Sequence, residues 1–317
     1  MKILFITSNR IGDAVLSTGV LHYLIKKYQD AYVTVACGPA SAGLFEGIPQ
    51  LQDIIIMHKS MGAAHWLKLW YSVVSTHWDI TVDMRSSVLT YVVRSKRRHI
   101  YRTPKDDRHR VLQLADLLND GTVPNPVLWP KLFHVQQAEK LLANLQKPIL
   151  VGPMATWFGK QWPAERFAHV LNDLRSQRER LLLTPILVLG GPGETAPAFF
   201  ETIDPDARVI NLIGTMPLLT IYSLMQRSLF YFGNDSGLMH MAAASGIPTL
   251  GLFGPSRENH YSPWGGTFVR TPESFDDIIK RPDYDRHKQI SWMTSLTTDD
   301  VLAALNKMID EKGLVKS

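Results

Sequence analysis

The chain has 317 residues, 45% hydrophobic and 20% charged, which excludes a disordered polypeptide and suits two domains better than one core. Its net charge of +5 is uneven: 17 Lys and Arg stand against 11 Asp and Glu up to Gln146 (+6), and 17 against 18 from Lys147 onward (−1). One cysteine, Cys37, excludes an internal disulfide, and no uncharged run approaches the roughly 20 residues of a membrane span.

In chain order, residues 2–7 (KILFIT) read as a buried strand, and 13–28 as a helix with Val15, Leu16, Val20, Leu21 and Leu24 at helical spacing. The apolar start, Ile3 to Ile6, is followed by Arg10 and Asp13 and does not fit a secretory signal. Strands follow at 32–36 and 53–57, and Cys37, without a CxxC partner, reads as small core packing in a reducing cytoplasm. A helix over 63–76 leads to a strand at 79–84, then helices near 87–93 and 110–118. Much of the positive charge lies in RSKRRHIYRTPKDDRHR, 94–110. This run reads either as a solvated helix end and loop, or as a dock for phosphates of an anionic lipid, a membrane surface or nucleic acid.

Residues 119–130, with three prolines and a glycine, read as a connection. After a helix at 135–145 the alternation restarts, with strands at 149–152, 186–190, 208–212, 229–232 and 249–253 and helices between them. The expectation is an α/β protein of two doubly wound domains, 1–146 and 147–317, each with a parallel sheet, and a cleft between them. The last helix, 298–311, is free to pack back on the first domain.

Ligands of such sheets sit at the carboxyl ends of the strands, so polar residues there need a reason. After the first strand come Ser8, Asn9, Arg10, Ile11, Gly12 and Asp13. Asp13 either complements the helix dipole and caps free N–H groups, or serves as a general base. After the strand at 149–152, Thr156 and Lys160 lie among Trp157, Phe158 and Trp162, just before Pro163 starts a helix. Lys160 is either a solvated loop residue or a contact for a bound anion. The run Gly191–Ala196 matches G-x-G-x-x-A, but it follows an internal strand and no well-placed acid ends the next one. A nicotinamide cofactor is therefore not expected, and Glu194 is read instead as an acceptor for ribose hydroxyls. Finally Asp235, Ser236 and Gly237 stand where a helix begins, with His240 one turn on from Ser236. Such a terminus favours a diphosphate, and Gly237 leaves room for it. The bland alternative for His240 is a hydrogen-bonded, half-buried histidine. Asp283-Tyr284-Asp285 lies in a charged segment and reads as a solvated loop, and no motif demands a metal or a covalent intermediate.

With KILFITSNRIGDAVLST, ATWFGKQWP, GGPGE and NDSGLMHMAAASGIPTLGLFGPS in view, the chain resembles the ADP-heptose:lipopolysaccharide heptosyltransferases, glycosyltransferase family nine. The resemblance spans most of the chain, and the last block is the most specific part of it. It implies a GT-B fold, two Rossmann-like domains facing a central cleft, inverting transfer, and no required metal or other cofactor. On it, Asp13 matches the general base and Lys160 the lysine that holds the donor diphosphate, with Thr156 nearby. Asp235, Ser236, Gly237 and His240 match the donor-binding block, and Glu194 and Met216 match positions around the ribose and base. Ala155 departs from the pattern, since many relatives carry a hydroxyl there.

The implied partners are a nucleotide-sugar donor such as ADP-heptose and a phosphorylated, Kdo-type lipid acceptor at the cytoplasmic face of the inner membrane, with no nucleic acid. Asn9, Arg10, Gly12, Arg94, Lys96, Arg97 and Arg98 are the acceptor-side candidates. Two alternatives stay open. A sugar-nucleotide epimerase on the same fold needs no separate acceptor and no basic first domain. A non-catalytic sugar-nucleotide-binding protein tolerates loss of Asp13.

Overall fold

The apolar run KILFI forms β1 (Lys2–Ile6), and its last four residues are fully buried, as expected of a central strand in a parallel sheet covered on both faces. The computed structural model describes residues 1–58 and 64–315, so Ala63, where the helix over 63–76 was expected to begin, lies outside the described residues. The chain divides into two units, Met1–His134 and Val135–Ser317.

In the first unit β1 is followed by α1 (Ile11–Lys27), β2 (Tyr32–Cys37), α2 (Pro39–Ala42), β3 (Leu51–Ile56), α3 (Ala64–Val73), β4 (Trp78–Asp83), α4 (Leu89–Val92), β5 (Ser95–Ile100) and α5 (Arg110–Ala115). Among the described residues the strands form one parallel sheet of order β3-β2-β1-β4-β5. The chain extends from β1 to one side and then crosses to the other, so the order reverses between β1 and β4. Their registers match Ile6 to Asp83, which sets their carboxyl ends side by side. The proline-bearing connection packs on α1: the Val127 N–H donates to Thr18 Oγ1 at 3.0 Å. A Cβ on Gly19 would come within 2.4 Å of the Pro124 carbonyl, so only glycine admits this approach.

α6 (Leu132–Leu142) straddles the division. The second unit continues with β6 (Ile149–Gly152), α7 (Ala164–Gln177), β7 (Ile186–Val188), α8 (Pro197–Thr202), β8 (Val209–Asn211), α9 (Leu218–Met225), β9 (Phe230–Asn234), α10 (Gly237–Ser245), β10 (Thr249–Phe253), α11 (Glu258–Tyr261), β11 (Thr267–Arg270), α12 (Phe275–Ile279) and α13 (Thr298–Glu311). Its parallel sheet has the order β11-β10-β9-β6-β7-β8, with the reversal between β6 and β9. The core here gathers Trp162, Phe167, Phe199, Phe230 and Phe232. The terminal helix α13 starts at a Thr297–Asp300 capping box and buries Val301, Leu305, Met308 and Ile309 in this same core.

Two strands were not expected from sequence, β5 and β11, and both are sheet edges. The first corrects the reading of the basic run as helix end and loop: Ser95–Ile100 is a strand, SKRRHI, paired to β4. Edge strands commonly carry charge because one side of their ladder faces water, and that charge hides the strand pattern.

Candidate active site

Both order reversals mark the place where an open α/β sheet binds its ligands. In the first unit the loop after β1 carries Ser8, Asn9, Arg10, Gly12 and Asp13. Ser41 Oγ of α2 donates to the Ser8 carbonyl at 2.8 Å, and Gly38 packs so closely on Asn9 that a Cβ there would meet Asn9 Oδ1 at 2.6 Å. Arg10 is exposed, and its N–H donates to Ser8 Oγ at 3.1 Å. Arg10 is also the N-cap of α1, and no side chain caps that terminus. Asp13 lies in the first turn, half-buried, with Ser8 Oγ 3.5 Å from its Oδ2. Its carboxylate is thus not spent on capping the helix.

The structure does not bring Arg94, Lys96, Arg97 and Arg98 to Asp13. Ser95 pairs with Trp78, the first residue of β4, so Arg94 and Lys96 sit at the amino end of the sheet, while Arg97 and Arg98 lie mid-strand opposite Ile80 and Thr81. A strand of this length separates the two ends by ~17 Å. Arg98 donates to the carbonyls of Thr90, Val93 and Ser95 at 2.9 Å each, which ties α4 to β5. Lys96 pairs with Asp79 at 2.6 Å, Arg97 reaches the Tyr28 hydroxyl at 3.0 Å, and Arg94 lies 3.5 Å from His77 Nε2.

In the second unit the loops after β6 and β9 meet. A 3-10 turn, Phe158–Lys160, carries Lys160, whose Nζ is bound by the Asp235 carboxylate. Asp235 is 6% exposed, and His240 Nε2 stands 3.8 Å from its other oxygen. Burial acts to raise the Asp235 pKa, but the charges of Lys160 and His240 and the hydrogen bond from Lys160 outweigh it and hold the carboxyl below its usual range. Ser236 is the N-cap of α10, yet its side chain caps nothing. Its Oγ is buried and faces the Tyr231 hydroxyl, while Ser256 Oγ is also buried and faces the Asp235 carboxylate. The Tyr231 hydroxyl lies against Gly152 and Gly233, where a Cβ would approach it to 2.0 and 2.4 Å.

The remaining expected residues lie on adjoining loops. Thr156 is exposed on the Lys160 loop. Glu194 follows β7, and its Oε2 accepts the Gly191 N–H at 2.6 Å, so the G-x-G-x-x-A run closes on its own glutamate. Met216 follows β8, whose loop joins the β7 loop through a bond from the Gly214 N–H to the Gly190 carbonyl at 3.0 Å.

Sequence reasoning missed what holds these loops. Asn234 Oδ1 accepts the Trp162 N–H at 3.0 Å and its Nδ2 donates to the Pro153 carbonyl at 2.8 Å, which ties the end of β9 to both ends of the lysine loop. Behind that loop runs 291–296: the Trp292 N–H bonds the Gly159 carbonyl at 3.0 Å, and Ser291 Oγ bonds the Gln161 carbonyl at 2.5 Å. Asp283 pairs with Arg281, and Asp285 accepts the His287 N–H. Among the described residues no three His, Cys, Asp or Glu side chains cluster as metal ligands would, and no helix is long and apolar enough to cross a membrane.

Comparison with known proteins agrees with this architecture. The chain is 22% identical to lipopolysaccharide heptosyltransferase 2 of Salmonella typhimurium, over 99% of this chain and 100% of that one. A family 9 glycosyl transferase from Veillonella parvula superposes with a TM-score of 0.78 at 19% identity, covering 98% of this chain and 97% of that one. The E. coli ADP-heptose lps heptosyltransferase II superposes with a TM-score of 0.74 at 19% identity, covering 99% and 100%. Both units therefore belong to a GT-B fold. The model of glycosyltransferase family 9 (heptosyltransferase) matches residues 66–272, well over half of the chain, and the protein belongs to that family and is a glycosyltransferase.

Proposed function

We propose that the protein transfers a heptose from ADP-heptose to the inner core of lipopolysaccharide. The observation that carries this is the second-unit reversal, where Lys160, held by Asp235, stands by the uncapped terminus of α10 and its buried Ser236 hydroxyl. A diphosphate matches that set. Lys160 offers its remaining ammonium hydrogens to it, the first-turn N–H groups of α10 add theirs, and the Ser236 hydroxyl adds a donor. Asp235 holds Lys160 in place. Glu194 is assigned to the ribose hydroxyls and Met216 to the base.

In the transfer, the acceptor hydroxyl gives its proton to Asp13 while its oxygen bonds to the sugar carbon. The bond from that carbon to the diphosphate breaks, and the diphosphate leaves with the electron pair, its charge stabilised by Lys160 and α10. Attack from the face opposite the leaving group inverts the sugar carbon. The exposed Arg94, Lys96 and Arg97 are assigned to the anionic membrane surface that carries the acceptor, at its cytoplasmic face.

Calorimetric titration with ADP tests the donor half. Wild type is expected to bind, and Lys160→Ala and Ser236→Ala to bind more weakly, by ~10-fold or more for the lysine. Equal affinity in all three proteins would place the diphosphate elsewhere.

A further inference from the structure

The first unit has its own order reversal, and one charged side chain there remains unexplained. Arg85 lies two residues past β4, beside the loop that carries Asp13. Its backbone is fixed. Asp83 is fully buried, and its Oδ1 accepts the Arg85 N–H at 2.7 Å. The other oxygen accepts the Ser87 N–H at 2.7 Å and the hydroxyls of Ser87 and Thr90 at 2.5 Å each. This forces a tight turn in which Ser86 takes φ 53°.

The side chain is fixed as well. The guanidinium carbon lies 4.8 Å from the centre of the Trp66 ring, and Trp66 itself packs on the core under α3 and α4. Nη1 is 3.5 Å from Asn9 Oδ1, four residues before Asp13. Arg85 is half-buried, and the acid acting on it, Asp83, spends its oxygens on the turn. A guanidinium in that position has lost part of its hydration and has gained a ring face, one long amide contact and the attraction of that nearby carboxylate. Its fork is built for two parallel bonds to an oxyanion.

We propose that Arg85, with Asn9, is the anchor for an oxyanion of the acceptor, a sugar carboxylate or a phosphate, and so fixes which hydroxyl faces Asp13. The proposal rests on the acceptor reading above. It assigns selection of the acceptor to the reversal between β1 and β4 and not to the basic edge strand β5.

The test is calorimetric titration of a deacylated Kdo-terminated acceptor into wild type, Arg85→Gln and Arg85→Lys. The acceptor is used in three forms: intact, as the methyl ester of its carboxylate, and dephosphorylated. Wild type should bind the intact form ~10- to 100-fold more tightly than the form lacking the recognised anion. The form that shows this loss identifies the source as carboxylate or phosphate. Arg85→Gln should bind that form and the intact one equally, Arg85→Lys should keep part of the preference, and ADP affinity should stay at the wild-type value in both. An Arg85→Gln protein that retains the full preference would overturn the proposal, as would wild type that binds all three forms alike or none. A wild type that binds through Arg85 but transfers no sugar would overturn the transferase reading and leave the anchor standing.

Discussion

Lys160 and Asp235 are ion-paired across the point where the second sheet reverses order, and the pair joins the loop after β6 to the loop after β9. Asp235 is almost wholly buried and Lys160 is 27% exposed. Removing the lysine therefore has two consequences. Lys160→Ala takes charge away from the leaving group and should lower kcat ~10²- to 10³-fold. It also leaves a buried carboxylate short of its partner, which should destabilise the fold by about 1–3 kcal/mol, less than a fully buried pair because the lysine is partly solvated. Steady-state kinetics and denaturant unfolding of one preparation check both. Unchanged kcat would remove Lys160 from the reaction.

The same pair sets a pH dependence. The folded-state pKa of Asp235 lies below its unfolded value, so its contribution to stability is complete above the ordinary carboxylate range and is lost as pH falls through the folded pKa. Wild type should lose thermal stability steadily as pH drops below ~4. Asp235→Asn should start less stable at neutral pH and decline less steeply. Parallel curves from pH 7 to pH 3 would show that Asp235 is not so perturbed.

Asp83 makes a separate prediction about the acceptor side. It gathers two N–H groups and two hydroxyls in a fully buried setting. Asp83→Ala strands those donors and should cost about 3 kcal/mol or more. Measured by urea unfolding, a loss under 1 kcal/mol would mean that the β4–α4 turn does not depend on it.

Cys37 should be inert. It is fully buried at the end of β2, and burial pushes its thiol up to about 11, against a smaller opposing effect of a hydrogen bond with Ser41. Iodoacetamide at pH 8 should leave the native protein unlabelled by mass spectrometry and label it fully in urea. Fast labelling of the native form would show that β2 opens.

The sheets were legible in sequence wherever a strand is buried on both faces. KILFI and TLGLF show as unbroken apolar runs, and the polar residues after such runs marked the candidate site. SKRRHI was not legible, because its side chains answer to water and to Asp79, Tyr28 and α4 instead of to a core. The lysine loop was visible, but its supports were not. Asn234 meets Trp162 and Ser291 meets Gln161 across long stretches of chain, and no local spacing encodes those contacts. Arg85 was hidden for the same reason: Trp66, on α3, and Asn9, on the loop after β1, hold it from elsewhere in the unit.

The most direct measurement is acceptor-dependent ADP release from ADP-heptose by wild type and Asp13→Asn, with a deacylated Kdo-lipid acceptor and mass spectrometry of the product. Wild type should yield ADP and an acceptor heavier by one heptose. Asp13→Asn should be slower by ~10²- to 10⁴-fold, with ADP affinity unchanged. Equal turnover by the two proteins, or consumption of the donor without any acceptor, would contradict the assignment of Asp13 as the base of a sugar transfer.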